Sequence, residues 1–162
     1  MTVALKEQKK IRGFGRVTIT EDGKIVGDSG WQQNNVPDEG LDRYILQLMS
    51  ADAGSLRIGW AALGTGGTVN DTATGLPGEL DHHQSARASA TLATSASSRL
   101  RVTATFNSTR TFVTTSANIS NIGLFQQSNT DTGTIFAGFT YASSQVTTNQ
   151  NVNITYDIDF TG

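Results

Sequence analysis

The chain has no cysteine, two prolines and two histidines among 162 residues. Without cysteine there is no thiol nucleophile, no Cys-based zinc site and no disulfide. Stability must come from core packing or from contacts with other chains. Only 16% of the residues are charged, against about 25% in an average domain. A net charge of -2 and a pI near 5.6 supply no basic field for nucleic acid. No apolar run reaches the ~20 residues of a membrane-spanning helix. The start, Met1-Thr2-Val3-Ala4-Leu5-Lys6, lacks an apolar stretch of signal-peptide length. The expectation is therefore a protein with no membrane and no direct nucleic-acid partner.

Thr, Ser, Asn, Gln and 17 Gly fill the space left by charge. These residues suit turns and the wet faces of strands. The clearest pattern is the run Asn151 to Phe160, in which Val152, Ile154, Tyr156, Ile158 and Phe160 alternate with polar residues. Alternate side chains of a strand point to opposite faces, so this run predicts a strand with one buried face. Leu100, Val102, Ala104 and Phe106 alternate in the same way, and Ile119, Ile122 and Leu124 mark a further strand. Ile135, Ala137, Phe139 and Tyr141 mark another, and Leu56–Leu63 and Gln84–Ser98 supply two plainer ones. Phe14 to Thr20 and Lys24-Ile25-Val26 flank Asp22-Gly23, a strong hairpin signal. One helix is predicted at about 38–50, where Leu41, Tyr44, Ile45, Leu48 and Met49 form a single apolar stripe behind Pro37 and Asp38. The sum is a mainly β chain: an N-terminal arm at 1–13, then a single β-sandwich or jelly-roll-like domain at 14–162.

Candidate chemistry is sparse. The loop Gly64-Thr65-Gly66-Gly67-Thr68 has no following Lys-Ser or Lys-Thr and reads as a flexible loop rather than a phosphate cradle. His82 and His83 are adjacent, so in a strand they face opposite ways and do not share one metal within a subunit. Asp157 and Asp159 lie on the polar side of the closing strand and read as solvent-facing. No Gly-x-Ser-x-Gly elbow occurs. The expectation is no catalytic, cofactor-binding or metal-binding residue, and no enzyme. Lys6, Lys9, Lys10, Arg12 and Arg16 form a basic group suited to a partner-protein surface.

The order of motifs adds a resemblance. The hairpin at Asp22-Gly23 is followed by Trp31, by Asn34-Asn35-Val36-Pro37-Asp38-Glu39-Gly40-Leu41 and by Ala62-Leu63-Gly64-Thr65-Gly66. Then come Leu76 to Leu80, Thr103-Ala104-Thr105-Phe106, Ile119-Ser120-Asn121-Ile122-Gly123-Leu124-Phe125, Gly133-Thr134-Ile135-Phe136-Ala137 and Thr155-Tyr156-Asp157-Ile158. Over about residues 15–160 this order resembles a family of small structural proteins of tailed bacteriophages. The resemblance implies a virion component assembled in the host cytoplasm, either a capsid decoration or cement protein or a tail- or fibre-associated protein. It carries no catalytic residues. The implied partners are the major capsid protein or other virion proteins, and the expected assembly is a symmetric homo-oligomer, a trimer first. The competing expectation is a tail or fibre module that recognises host-surface glycans, for which Trp31 and Trp60 are the available tryptophans.

Overall fold

A computed structural model describes residues 10–37, 57–81, 87–96, 99–130 and 132–161. The described chain is built from nine strands: β1 (Lys10–Glu21), β2 (Lys24–Asp28), β3 (Gln32–Gln33), β4 (Trp60–Gly64), β5 (Ala88–Ala96), β6 (Arg99–Phe106), β7 (Ser116–Phe125), β8 (Ala137–Thr147) and β9 (Asn151–Thr161). They form one antiparallel sheet in the order β2-β1-β9-β6-β5-β4-β7-β8, with β3 also paired to β1. The expected mainly β class is what the chain adopts. The helix expected at 38–50 lies outside the described residues, as do His82 and His83.

The sheet curls until its two ends nearly meet. Gln32 and Gln33 pair with Gly15 and Phe14 of β1, and two residues later Asn35 bridges Gly138 of β8. Inward positions of β1 alternate as Ile11, Gly13, Gly15, Val17 and Ile19, and the two glycines sit where Asn34, just after β3, and Phe139 of β8 press against the strand. A Cβ on Gly13 would fall 2.4 Å from Asn34 Cγ, and one on Gly15 would fall 1.7 Å from Phe139 Cε1. Absence of side chains there lets the barrel close.

β9 lies at the centre of its half of the sheet, with β1 on one side and β6 on the other along most of its length. Its alternation works as expected: Val152, Ile154, Tyr156 and Ile158 are all buried. They meet Val102, Ala104 and Phe106 of β6, Ile119 and Ile122 of β7 and Phe139 and Tyr141 of β8 in one core. Phe139 sits 5.9 Å, centroid to centroid, from both Tyr141 and Tyr156, and Phe106 meets Phe112 edge-on at 5.6 Å. Each such side chain contributes about 1.5–3 kcal/mol by leaving water.

A smaller core covers the outer face of β4 and β7. Ala62, Val69, Leu76, Phe125 and Ile135 pack there with Trp60 and Ala73. Both faces of these strands are therefore buried, which explains why Ala61-Ala62-Leu63 and Ile122 to Phe125 read as continuous apolar runs rather than alternating ones.

The last residues of the expected arm at 1–13 fall in a strand. Lys10 to Gly13 already belong to β1 and pair with Thr161 to Ile158 of β9, while residues 1–9 lie outside the described residues.

Candidate functional site

The basic group divides. Lys6 and Lys9 lie outside the described residues, and Lys10 is in β1 opposite Thr161. Arg12 is exposed on the outer face of β1, opposite Asp159. Arg16 is engaged: its Nε donates to Asp28 Oδ1 at 2.9 Å and its Nη2 donates to Oδ2. This bidentate pair ties β1 to β2 and holds the Asp28 carboxyl down at about 2, with help from the Gly30 N–H. It leaves Arg12 as the described member of the group that is open to a partner.

The acids of the closing strand correct an expectation. Asp157 is 3% exposed and does not face solvent. Arg101 Nε and Nη2, from the neighbouring position on β6, each donate to it at 2.7 Å, and Phe14 occupies the opposing position on β1. Arg99 grips Asp159 in the same two-point manner, at 2.5 and 2.9 Å. The Arg99 guanidinium lowers the Asp159 pKa below the ordinary carboxylate value. The arginine stems fold across the strand and cover the acids, as long charged side chains do on a sheet. These carboxylates are thus structural, although by a different route from simple solvation. The signal was present as Arg-x-Arg in one strand and Asp-x-Asp in another, with periods that match.

The glycine loop is pinned rather than flexible. Thr65 and Gly66 donate their N–H groups to the carbonyls of Gly78 and Pro77. Ser120 Oγ donates to Gly66 O at 2.8 Å, and Asn121 Nδ2 donates to Gly67 O and Pro77 O at 3.0 Å each. Asn121 is fully buried and needs Gly64 beneath it, because a Cβ there would lie 2.1 Å from its Oδ1. With the Thr65 and Gly66 N–H groups already bonded, this loop cannot cradle a phosphate through them. Among the described residues no three His, Asp or Glu side chains gather to hold a metal.

A cavity of about 440 Å³ opens between residues 74–79, Arg87 and residues 132–134, and sequence reasoning missed it. Its floor is Arg87, 1% exposed, stacked 3.6 Å above the centroid of Phe125. Arg87 Nε and Nη2 donate to the two oxygens of Glu79 at 2.6 and 2.9 Å, and Nη1 donates to Gln127 O and Thr132 O at 2.9 and 3.0 Å. Four of its five N–H groups are thereby used, and its charge is matched by one carboxylate. The pair clamps the turn around Glu79 to the segment 127–132; it does not offer a free cation to a ligand. The one hint in the sequence was a solitary arginine inside a Ser/Ala/Thr run.

The open edge of the sheet is the remaining feature. Asp22 and Gly23 have φ of +48° and +75°, the signs a type I′ turn requires, so the hairpin forms as expected. β2 then stands at the end of the sheet order with β1 on one side only. Pairing skips Val26, because Gly27 faces Ile19 while Ile25 faces Thr20. Ile25 and Val26 are 62% and 54% exposed, and Trp31, which lies between β2 and β3, is 46% exposed. These are the exposed large apolar side chains of the described residues. Trp60, by contrast, packs into the outer core.

Comparison with protein-family models, curated proteins and solved structures finds no match.

Proposed function

We propose that the chain is a non-enzymatic structural protein of a tailed-bacteriophage virion, a decoration or cement protein that binds the major capsid protein and stabilises the shell. The observation that carries this reading is where the chain places its apolar and charged groups. Its buried and half-buried ions (Arg87 with Glu79, Arg101 with Asp157, Arg99 with Asp159) are spent on internal clamps. Among the described residues its exposed large apolar side chains are Ile25 and Val26 on the open edge strand β2 and Trp31 shortly after it. A rigid barrel with one sticky edge suits assembly, since an uncovered edge is a liability for a free protein and an asset in a shell. The motif order shared with small phage structural proteins points the same way, and the jelly-roll-like description belongs with this reading. So does a homo-oligomer within the virion.

The glycan-binding alternative calls for clustered exposed aromatics. Trp31 is exposed and Trp60 is half-buried against the outer core, so the two do not form an exposed cluster, which favours the capsid reading over it.

The test is placement. Labelled protein is incubated with particles that lack it, and its position is read by cryo-EM. Density on the head lattice is expected; density confined to the tail, or none, overturns the capsid assignment. The arm is tested by removing residues 1–9 only, because residues 10–13 are part of β1 and their loss would damage the barrel. Weaker particle binding with unchanged circular dichroism is the expected result.

A further inference from the structure

The outer face of β1, β9 and β6 carries arginine donors that the barrel does not use up. We propose that Arg12 and Phe14 of β1, with Arg99 and Arg101 of β6 across β9, form a docking surface for an extended acidic segment of a partner protein. The proposal rests on the assembly reading above and names the partner's chemistry, whether that partner belongs to the head or the tail.

Register puts these side chains on one face. Asp159 has Arg12 opposite it on one side and Arg99 on the other, and Asp157 has Phe14 and Arg101. Directly opposite residues of an antiparallel pair share a face. The alternate positions Gly13, Val102, Tyr156 and Ile158 are buried on the core side. Neighbouring strands lie about 4.8 Å apart, so the strands of Arg12 and Arg99 stand roughly 9.6 Å apart across Asp159. Arg99 and Arg101 are two residues apart on one strand, about 6.8 Å, which is the spacing of alternate side chains in any extended peptide.

Three observations point to carboxylates as the ligand. Arg12 is exposed and makes no hydrogen bond or ion pair among the described residues. Arg99 and Arg101 each give only Nε and one Nη2 hydrogen to their aspartates. Each keeps three N–H groups, on side chains that are 41% and 40% exposed. The aspartates hold both guanidinium planes in place beforehand, so a second carboxylate meets them at small cost in side-chain entropy. Charge is also segregated. Arg12, Arg99 and Arg101 outnumber Asp157 and Asp159 by one, and Lys6, Lys9 and Lys10, which lead into β1, outnumber Glu7 by two. A chain of net charge -2 thus carries an excess of three positive charges in these parts, and such an asymmetry steers an acidic partner.

The same face discriminates between polyanions. A phosphodiester backbone is charged at every nucleotide and would have to lie over Asp157 and Asp159. A peptide can set carboxylates against the guanidinium edges and neutral residues over the two acids. Half-buried Phe14 adds an apolar contact beside them.

The test uses the full chain and a fluorescein-labelled peptide in which Glu alternates with Thr, followed by fluorescence anisotropy. Saturable binding is expected, at least about tenfold tighter than for the same peptide with Gln in place of Glu. Arg12→Gln, which breaks no internal bond, should weaken it about fivefold. Arg99→Lys keeps the charge but loses the fork, and should weaken it by a similar factor with unchanged circular dichroism. Lys24→Gln removes the same charge from an exposed site beside Glu21, at the other end of β1, and should change nothing. Equal binding of the Glu and Gln peptides, or equal losses in Arg12→Gln and Lys24→Gln, overturns the proposal. So does a single-stranded oligonucleotide that binds more tightly than the peptide. Particle binding is measured on the same variants. Peptide binding that depends on Arg12, in a protein that ignores particles, removes the virion reading and leaves the face standing. Peptide binding indifferent to Arg12, in a protein that still binds particles, removes the face and leaves the virion reading standing.

Discussion

Replacing Gly15 with alanine tests how the barrel closes. The added Cβ would lie 1.7, 2.3 and 2.6 Å from Cε1, Cδ1 and Cζ of Phe139. Carbon atoms rest at about 3.5–4.0 Å, so the ring must retreat by roughly 2 Å. It has nowhere to go: Phe139 is 1% exposed and is flanked by the Tyr141 and Tyr156 rings. Overpacking ordinarily costs about 1–3 kcal/mol, and a ring caged on two sides belongs at the upper end, near 3. For a domain of this size that is a fall in Tm of about 6–12 °C. Urea denaturation measures it directly. Phe139→Ala alone should cost about 3–5 kcal/mol through the cavity it leaves. Together the two changes should be less harmful than their sum by at least about 2 kcal/mol, since the new methyl then occupies vacated space. A Gly15→Ala variant within about 0.5 kcal/mol of the parent, or strict additivity with Phe139→Ala, refutes the steric account.

Glu79→Ala strands a buried guanidinium and should cost about 3–5 kcal/mol in urea denaturation; a loss under about 1 kcal/mol would mean the clamp is dispensable. Acid should weaken the fold in a defined window. The Asp28 pKa is about 2 in the folded chain against an ordinary 3.8, so its pairing is complete above about pH 4 and fades as pH falls toward 2. Because that pair is solvent-exposed the effect is small, and Asp28→Asn should flatten the slope of Tm against pH; an unaltered slope counts against it. Burial raises the Tyr156 hydroxyl pKa well above 10, so the fold favours the neutral phenol and loses stability as pH rises through and beyond 10. The tyrosinate absorbance of Tyr156, read as the difference from Tyr156→Phe, should therefore appear together with unfolding rather than before it. The same hydroxyl is buried against the Asn34 side chain without a well-formed hydrogen bond, and Tyr156→Phe should be neutral or stabilising by up to about 1 kcal/mol. A clear loss would show that the hydroxyl does find a partner.

Strands whose one face is buried were readable from the sequence, because period-two alternation follows directly from one-sided burial. β9 and β6 are of this kind, and the hairpin was readable because Asp-Gly supplies the two positive φ angles that the turn demands. β4 was harder. Buried on both faces, it loses its alternation, and its start at Trp60 falls four residues after the expected Leu56, part of which stretch lies outside the described residues. The clamp between Glu79 and Arg87 was hard to read for another reason. The two residues lie eight apart in segments without a regular period, so no local pattern pairs them. The acids of β9 were misread because a strand's polar face was equated with solvent, whereas neighbouring arginine stems cover it. The inward glycines of β1 gave no signal of their own, because their role depends on Phe139 of a distant strand packing over Gly15.

The central position of β9 bears on how the protein is made. Both of its neighbours, β1 and β6, precede it in the chain, with Lys10 waiting for Thr161 and Phe106 for Val152. While translation proceeds, these two strands have unsatisfied edges and the main core lacks Val152, Ile154, Tyr156 and Ile158. Such distant pairings form slowly, on the scale of milliseconds to seconds, and partly made sheets of this kind are prone to aggregate. A nascent chain arrested before residue 151 should therefore remain sensitive to protease, and one released with β9 complete should become resistant in a single step.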